Sequence, residues 1–188
     1  GRPAKDSDSN GTPQHLQMWQ RYPKPGDAID ALQGELCCAR FPEGIPMSHT
    51  LTHSFRQLAL GKHHTLFLGS EGQIMACGYN GYGQLGTGED SEFRTTPVLI
   101  QSVTGIKDVV AGHHHNLALT TAGKLMSWGS GSWGKLGLGS DSNVRTPRIV
   151  ASLSSSMVET IAAGGHHSVC ITVTGDVWTW GKGMREIG

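Results

Sequence analysis

Neither sign of charge dominates this sequence: 15 basic and 15 acidic residues cancel, and no run of one sign occurs. That removes any general pull toward nucleic acid or an anionic membrane. Long apolar runs are absent, so no transmembrane helix is expected, and the polar N-terminal stretch lacks a signal-peptide core. Cysteine is scarce. The four residues, Cys37, Cys38, Cys77 and Cys170, form no C-x-x-C and never recur at matching positions. A disulfide framework needs better spacing, and a reducing, intracellular setting, cytoplasmic or nuclear, is expected. Catalytic signatures are missing too. There is no G-x-S-x-G elbow, no phosphate-binding G-x-x-x-x-G-K-[ST] and no legible carboxylate pair. No enzyme activity and no cofactor are expected.

What the sequence has in quantity is glycine, 27 residues, all but five of them beyond residue 60. They fall in register within a stretch written three times. The clearest copy is Ala111-Gly112-His113-His114-His115-Asn116-Leu117-Ala118-Leu119-Thr120, then Ala122-Gly123-Lys124-Leu125-Met126-Ser127-Trp128-Gly129. An earlier copy runs from Leu60-Gly61-Lys62-His63-His64 through Gly72 to Cys77-Gly78. A later one runs from Ala163-Gly164-Gly165-His166-His167 through Gly175 to Trp180-Gly181. His64, His115 and His167 are separated by 51 and 52 positions, as are Gly72, Gly123 and Gly175. Repeats of about fifty residues with several short strands per copy signal a β-propeller or β-solenoid.

Pro46, Pro97 and Pro147 open the copies, which gives repeats at 46–96, 97–146 and 147–188, the last one truncated. Four strands are expected per full copy. In the middle one they are placed near Val98–Ile100, Val109–Ala111, Asn116–Thr120 and Lys124–Trp128. The turn glycine Gly123 supplies positive φ between the last two. Residues 1–45 differ in kind. They hold five of the eight prolines, and are expected to be a flexible leader with a short helix within Asp27–Ala39, where Ile29, Leu32 and Leu36 have helical spacing. The chain opens on Gly and stops inside a motif, so it is expected to be a piece of a longer protein.

The pattern Gly112-x-x-His115-x-x-x-Leu119, then Gly123, then Trp128-Gly129-x-Gly131-x-x-Gly134-x-Leu136-Gly137 resembles the repeats of the regulator of chromosome condensation family. The resemblance covers about three quarters of the chain. Cys77 stands where the first copy would carry Trp, and the last copy lacks one residue and one Gly of the motif. The resemblance implies an all-β fold, a partial propeller of four-stranded blades from a wheel that usually has seven. It further implies three roles. One is a protein–protein interaction scaffold inside a larger signalling or regulatory protein. Another is guanine-nucleotide exchange on a small GTPase such as Ran. The least favoured is chromatin binding, which usually needs a basic tail that this neutral chain lacks.

Seven of the ten histidines sit in the repeated groups and suggest a metal site at first. Adjacent strand residues point to opposite faces, however, and periodicity spreads equivalent positions around an axis instead of converging them. The expected role is structural, with His64, His115 and His167 fixing backbone between blades and no metal bound. Gly61, Gly72, Gly112, Gly123, Gly164, Gly175, Trp128 and Trp180 belong to the same scaffold. Recognition is expected in the loops that vary on it. These contribute Tyr79, Tyr82, Glu89, Asp90, Glu92, Phe93 and Arg94 in one copy and Trp133, Asp141, Asn143 and Arg145 in the next, against the alternative of ordinary solvated turns. No nucleic-acid or membrane partner is expected, and the remaining blades are expected in the parent chain.

Overall fold

A computed structural model describes residues 54–183. The leader at 1–45, with its helix expected within 27–39, lies outside the described residues. Eleven strands form three antiparallel sheets among the described residues. The first sheet holds β1 (Phe55–Leu60), β2 (His64–Gly69), β3 (Ile74–Tyr79) and β4 (Phe93–Leu99), in that order. The second repeats it with β5 (Ile106–Ala111), β6 (His115–Thr120), β7 (Leu125–Gly129) and β8 (Val144–Ile149). The third has β9 (Val158–Ala163), β10 (His167–Thr172) and β11 (Val177–Gly181). Each is a meander in which neighbours in sequence are neighbours in space. These are propeller blades, two of four strands and one of three.

Local chemistry explains the strands. In β2 the side chains of His64, Leu66 and Leu68 are buried and those of Thr65 and Phe67 half-buried, the alternation of a pleated strand. In β6, His115 through Leu119 are all buried, because the middle sheet is covered on both faces. Between β2 and β3, and again between β6 and β7, Gly72 (φ 78°) and Gly123 (φ 70°) close the hairpins in a backbone region costly for other residues.

The expected second, third and fourth strands of the middle copy coincide with β5, β6 and β7. The expected first strand, near Val98–Ile100, does not open that copy. Its residues up to Leu99 close the preceding sheet as β4, where Ala76 pairs with Val98 and Met75 with Leu99. Pro97 and Pro147 thus lie inside the outer strands β4 and β8. An edge strand tolerates Pro because its outward N–H has no ladder partner to lose. The sheets share the sequence period but begin about nine residues after the prolines.

The inner strands β1, β5 and β9 sit side by side, and the sheets fan out from them. Leu66, Leu68, Ile74 and Ala76 of the first sheet pack against Val109, Ala118 and Trp128 of the second. Leu117, Leu119 and Leu125 on the other face of the second sheet pack against Val158, Ile161 and Cys170 of the third. The opposite face of the first sheet leaves Leu58 and Leu60 exposed, and that of the third leaves Ile171 and Val177 exposed.

Candidate functional site

The repeated histidines join one blade to the next. Gly-x-x-His places the imidazole directly over its own glycine, so that a Cβ on Gly112 would lie 2.2 Å from His115 Cε1, and on Gly61 2.0 Å from His64 Cε1. No side chain fits there, which is why glycine accompanies histidine in every copy. Held in this way, His64 Nε2 donates to Asn116 Oδ1 of the next blade at 2.7 Å. The roles follow from Asn116, whose Nδ2 donates to the Gln84 carbonyl at 2.8 Å and leaves Oδ1 as acceptor. One blade on, His115 Nε2 bonds Ser168 Oγ at 3.0 Å, while that hydroxyl donates to the Lys135 carbonyl at 2.7 Å. The serine's single proton is then engaged, so His115 also carries its hydrogen on Nε2.

Trp128 completes the first joint. Its Nε1 donates to the same Gln84 carbonyl at 3.0 Å, and its ring lies against Gly86, whose added Cβ would fall 2.8 Å from Nε1. Trp180 takes the matching seat against Gly137. Burial pushes the His64 imidazole below its ordinary pKa. Burial and the Lys135 ammonium push His115 down to about 3. Both are neutral at physiological pH, with Nδ1 buried and unpartnered. His167 occupies the equivalent position in the third sheet and is exposed on that sheet's free face.

Sequence reasoning found the histidines, glycines and tryptophans of this joint and missed Asn116, Ser168, Gln84 and Lys135. Asn116 and Ser168 share a repeat position, one place after the last His of each group, where the first copy has Thr65. Gln84 and Lys135 act through backbone carbonyls, which side-chain identity does not reveal.

Every residue expected to meet a partner lies at one end of the sheets. The meander puts the β1–β2, β3–β4, β5–β6, β7–β8 and β9–β10 connections at that end and the hairpin turns at the other. The structure brings many of these residues together. Glu89 pairs with Arg94. Arg145, from the second blade, reaches Asp90 at 2.7 Å and the Glu89 carbonyl at 3.2 Å. Asn143 accepts from the Gly131 N–H at 3.2 Å, the Glu92 carbonyl accepts from the Asn80 N–H, and Asp141 acts on Lys135. Most of these contacts lie within one loop, and Arg145 ties the second blade's loop to the first. Tyr79 and Tyr82 meet edge to face with centroids 6.0 Å apart. Phe93 and Trp133 stand apart, 55% and 58% exposed. Trp133 has φ 66°, a conformation rare for a residue with a side chain, and Lys182 lies 4.9 Å over its ring.

A fan of antiparallel sheets, two of four strands and one of three, with their inner strands side by side, defines the class: these are β-propeller blades. Residues 71–119 and 122–171 match the Regulator of chromosome condensation (RCC1) repeat, and a second description of the same repeat matches 55–84 and 106–134. The chain belongs to the RCC1 repeat family.

Among curated relatives, mouse (Mus musculus) "Probable E3 ubiquitin-protein ligase HERC4" is 36% identical over 154 residues, which is 81% of this chain and 14% of that protein. Human (Homo sapiens) "E3 ubiquitin-protein ligase HERC2" is 43% identical over 129 residues, 66% of this chain and 3% of that protein. Among solved structures, Prp20p from Saccharomyces cerevisiae, described with its binding to Gsp1p and histones, superposes with a TM-score of 0.61 at 30% identity. That match covers 70% of this chain and 31% of Prp20p. The chain therefore spans a small part of each of these relatives. No helix among the described residues is long and apolar enough to cross a membrane.

Proposed function

We propose that the chain is a docking module of a larger intracellular protein, cytoplasmic or nuclear, and that it binds a protein partner through the loop end of its blades. The observation that carries this reading is the division of labour in the fold. Buried joints hold the blades in fixed register, while Tyr82, Phe93 and Trp133 stand exposed at the β3–β4 and β7–β8 connections within them. Exposed aromatics on a rigid support are the side chains most often found to anchor an interface. Trp133 adds weight, because backbone held at positive φ costs on the order of 1–3 kcal/mol and persists at functional positions. Further blades in the parent chain would complete the wheel and cover the open faces of the first and third sheets. In this reading the module contributes binding, and any chemistry belongs to other parts of the parent protein.

Nucleotide exchange on a small GTPase is the second reading, favoured by the likeness to Prp20p with its binding to Gsp1p. Chromatin binding ranks third, on the histones named with the same protein. The test is affinity capture by the full-length protein under nucleotide-free conditions, with Trp133→Ala and Phe93→Ala alongside wild type. A partner lost from both variants and indifferent to added GTP supports the docking module. A small GTPase captured only when nucleotide-free and released by GTP would replace that reading with exchange. Capture unaffected by either substitution would remove the loop end from the interaction.

A further inference from the structure

Outside the joints, the same end of the blades carries a band of rings. Tyr79 meets Tyr82, and Tyr82 meets His114 with centroids 5.0 Å apart. His114 has His63 on one side at 6.2 Å and His113 on the other at 6.3 Å, and His113 meets His166 edge-on at 5.0 Å. The band crosses all three blades. It borders a depression of about 280 Å³ lined by 60–62, 111–113 and 163–165, the equivalent inner-strand ends. The Lys62 N–H donates to the His113 carbonyl at 3.1 Å and the His113 N–H to the Gly165 carbonyl at 3.2 Å, so this rim is fixed blade to blade.

The charges around the band are of one kind. Besides burial, His166 is pushed below its ordinary pKa by His113, Lys135, Lys182 and Lys62. His114 is pushed to about 4 by burial and by Lys62, His64, His113 and His63. Three carboxylates of this end face other groups, Glu89 with Arg94, Asp90 with Arg145 and Asp141 beside Lys135, while Glu92 is exposed. No carboxylate is among the groups that act on His114 or His166 in this rigid rim of imidazoles and ammonium groups.

We propose that the ring band and its lysines are a docking site for an acidic peptide segment of a protein partner, whose carboxylates are received between His113, His166, Lys62 and Lys182. This rests on the docking-module reading and names the chemistry of what docks. A peptide suits the site better than a nucleic acid. The rings stand at 43° to 81° to one another and offer bases no parallel stack, and the neutral chain has few cations to set against phosphates.

The sign of the pH effect follows. A bound carboxylate favours the imidazolium and raises the pKa of each histidine it faces, so the complex holds more protons than the free partners. Affinity therefore strengthens as pH falls from neutral, until the peptide's own carboxylates protonate near pH 4.

The probe is a fluorescein-labelled oligoglutamate, titrated into the chain at fixed ionic strength and followed by anisotropy. Binding at about pH 5.5 should be roughly fivefold or more tighter than at about pH 7.5, as expected for one or two imidazole–carboxylate contacts. The H113Q/H166Q variant should lose that pH dependence. Lys124→Gln, at the opposite end of the sheets, should leave it intact, and far-ultraviolet circular dichroism checks that both variants fold. Histidine proton NMR gives a second reading, because oligoglutamate should shift the His166 titration to higher pH. Absent binding, pH-independent binding, binding unchanged in H113Q/H166Q, or preferential binding of an oligouridylate would each overturn the assignment. If oligoglutamate fails while Trp133→Ala and Phe93→Ala still release the captured partner, the docking module stands and only its acidic ligand is lost.

Discussion

At the scale of the residue, His115 shows how burial converts a polar side chain into a conditional one. Its Nε2 is bonded to Ser168, its Nδ1 is buried without an acceptor, and its pKa falls to about 3. A proton added at Nδ1 would sit in a site that cannot solvate it. In the unfolded chain the same imidazole protonates near 6.5. The folded pKa is the lower one, so the unfolded state binds more protons throughout the interval between them. The stabilisation is complete above pH 6.5 and is lost as pH falls toward 3. Urea midpoints between pH 7.5 and 4.5 should decline, with a contribution from this one group of about 1.4 kcal/mol per pH unit. His115→Gln should flatten the decline while lowering stability at neutral pH. An equal slope in the variant would mean that other groups govern it.

At the scale of the element, the joint between blades is a relay of imidazole, amide or hydroxyl, and carbonyl, to which Trp128 adds its indole N–H in the first joint. His64 and Asn116 meet in a buried site, where removing one partner strands the other. A double-mutant cycle of His64→Ala and Asn116→Ala in equilibrium unfolding should give a coupling of about 1–2 kcal/mol. Simple additivity would show that the 2.7 Å contact carries no energy of its own. Here the limits of the sequence become physical. The histidines, the glycines beneath them and the tryptophans were legible because the same identity recurs at 51 or 52 positions. Their acceptors were not. Position 65 is Thr where 116 is Asn and 168 is Ser, so the partner keeps its place but changes its chemistry. Gln84 and Lys135 offer only their carbonyls. The prolines misled for a related reason. Pro97 and Pro147 punctuate the sequence as turn residues do, yet each occupies an edge strand that can spare an N–H. The loop residues were singled out as one set, of which Tyr79, Arg94 and Arg145 are half-buried, and the meander shows why they share one end. The ring band was not legible as a unit, since its members come from loops some fifty residues apart.

At the scale of the whole molecule, equivalent positions have unlike surroundings. Leu119 in β6 is fully buried between two sheets, whereas Ile171, 52 positions later in β10, is 38% exposed on the free face of the third. Leu119→Ala should cost about 3 kcal/mol through lost burial and the cavity left behind. Ile171→Ala should cost less than about 1 kcal/mol, because water already reaches the side chain. Chemical denaturation of both variants at low protein concentration makes the comparison. Equal losses would show that the face of the third sheet is covered in solution.

The joint is also vectorial. In both instances the imidazole belongs to the earlier blade and its acceptor to the later one, while the carbonyl that receives the return bond belongs again to the earlier. The two ends of the fan are therefore as unlike as a plug and a socket. Two third-sheet ends apposed would set His167 against His167, without the amide or hydroxyl that receives the imidazole in the joints. A blade docked on the third sheet by the same joint would enter with the same polarity and present an amide or hydroxyl to His167.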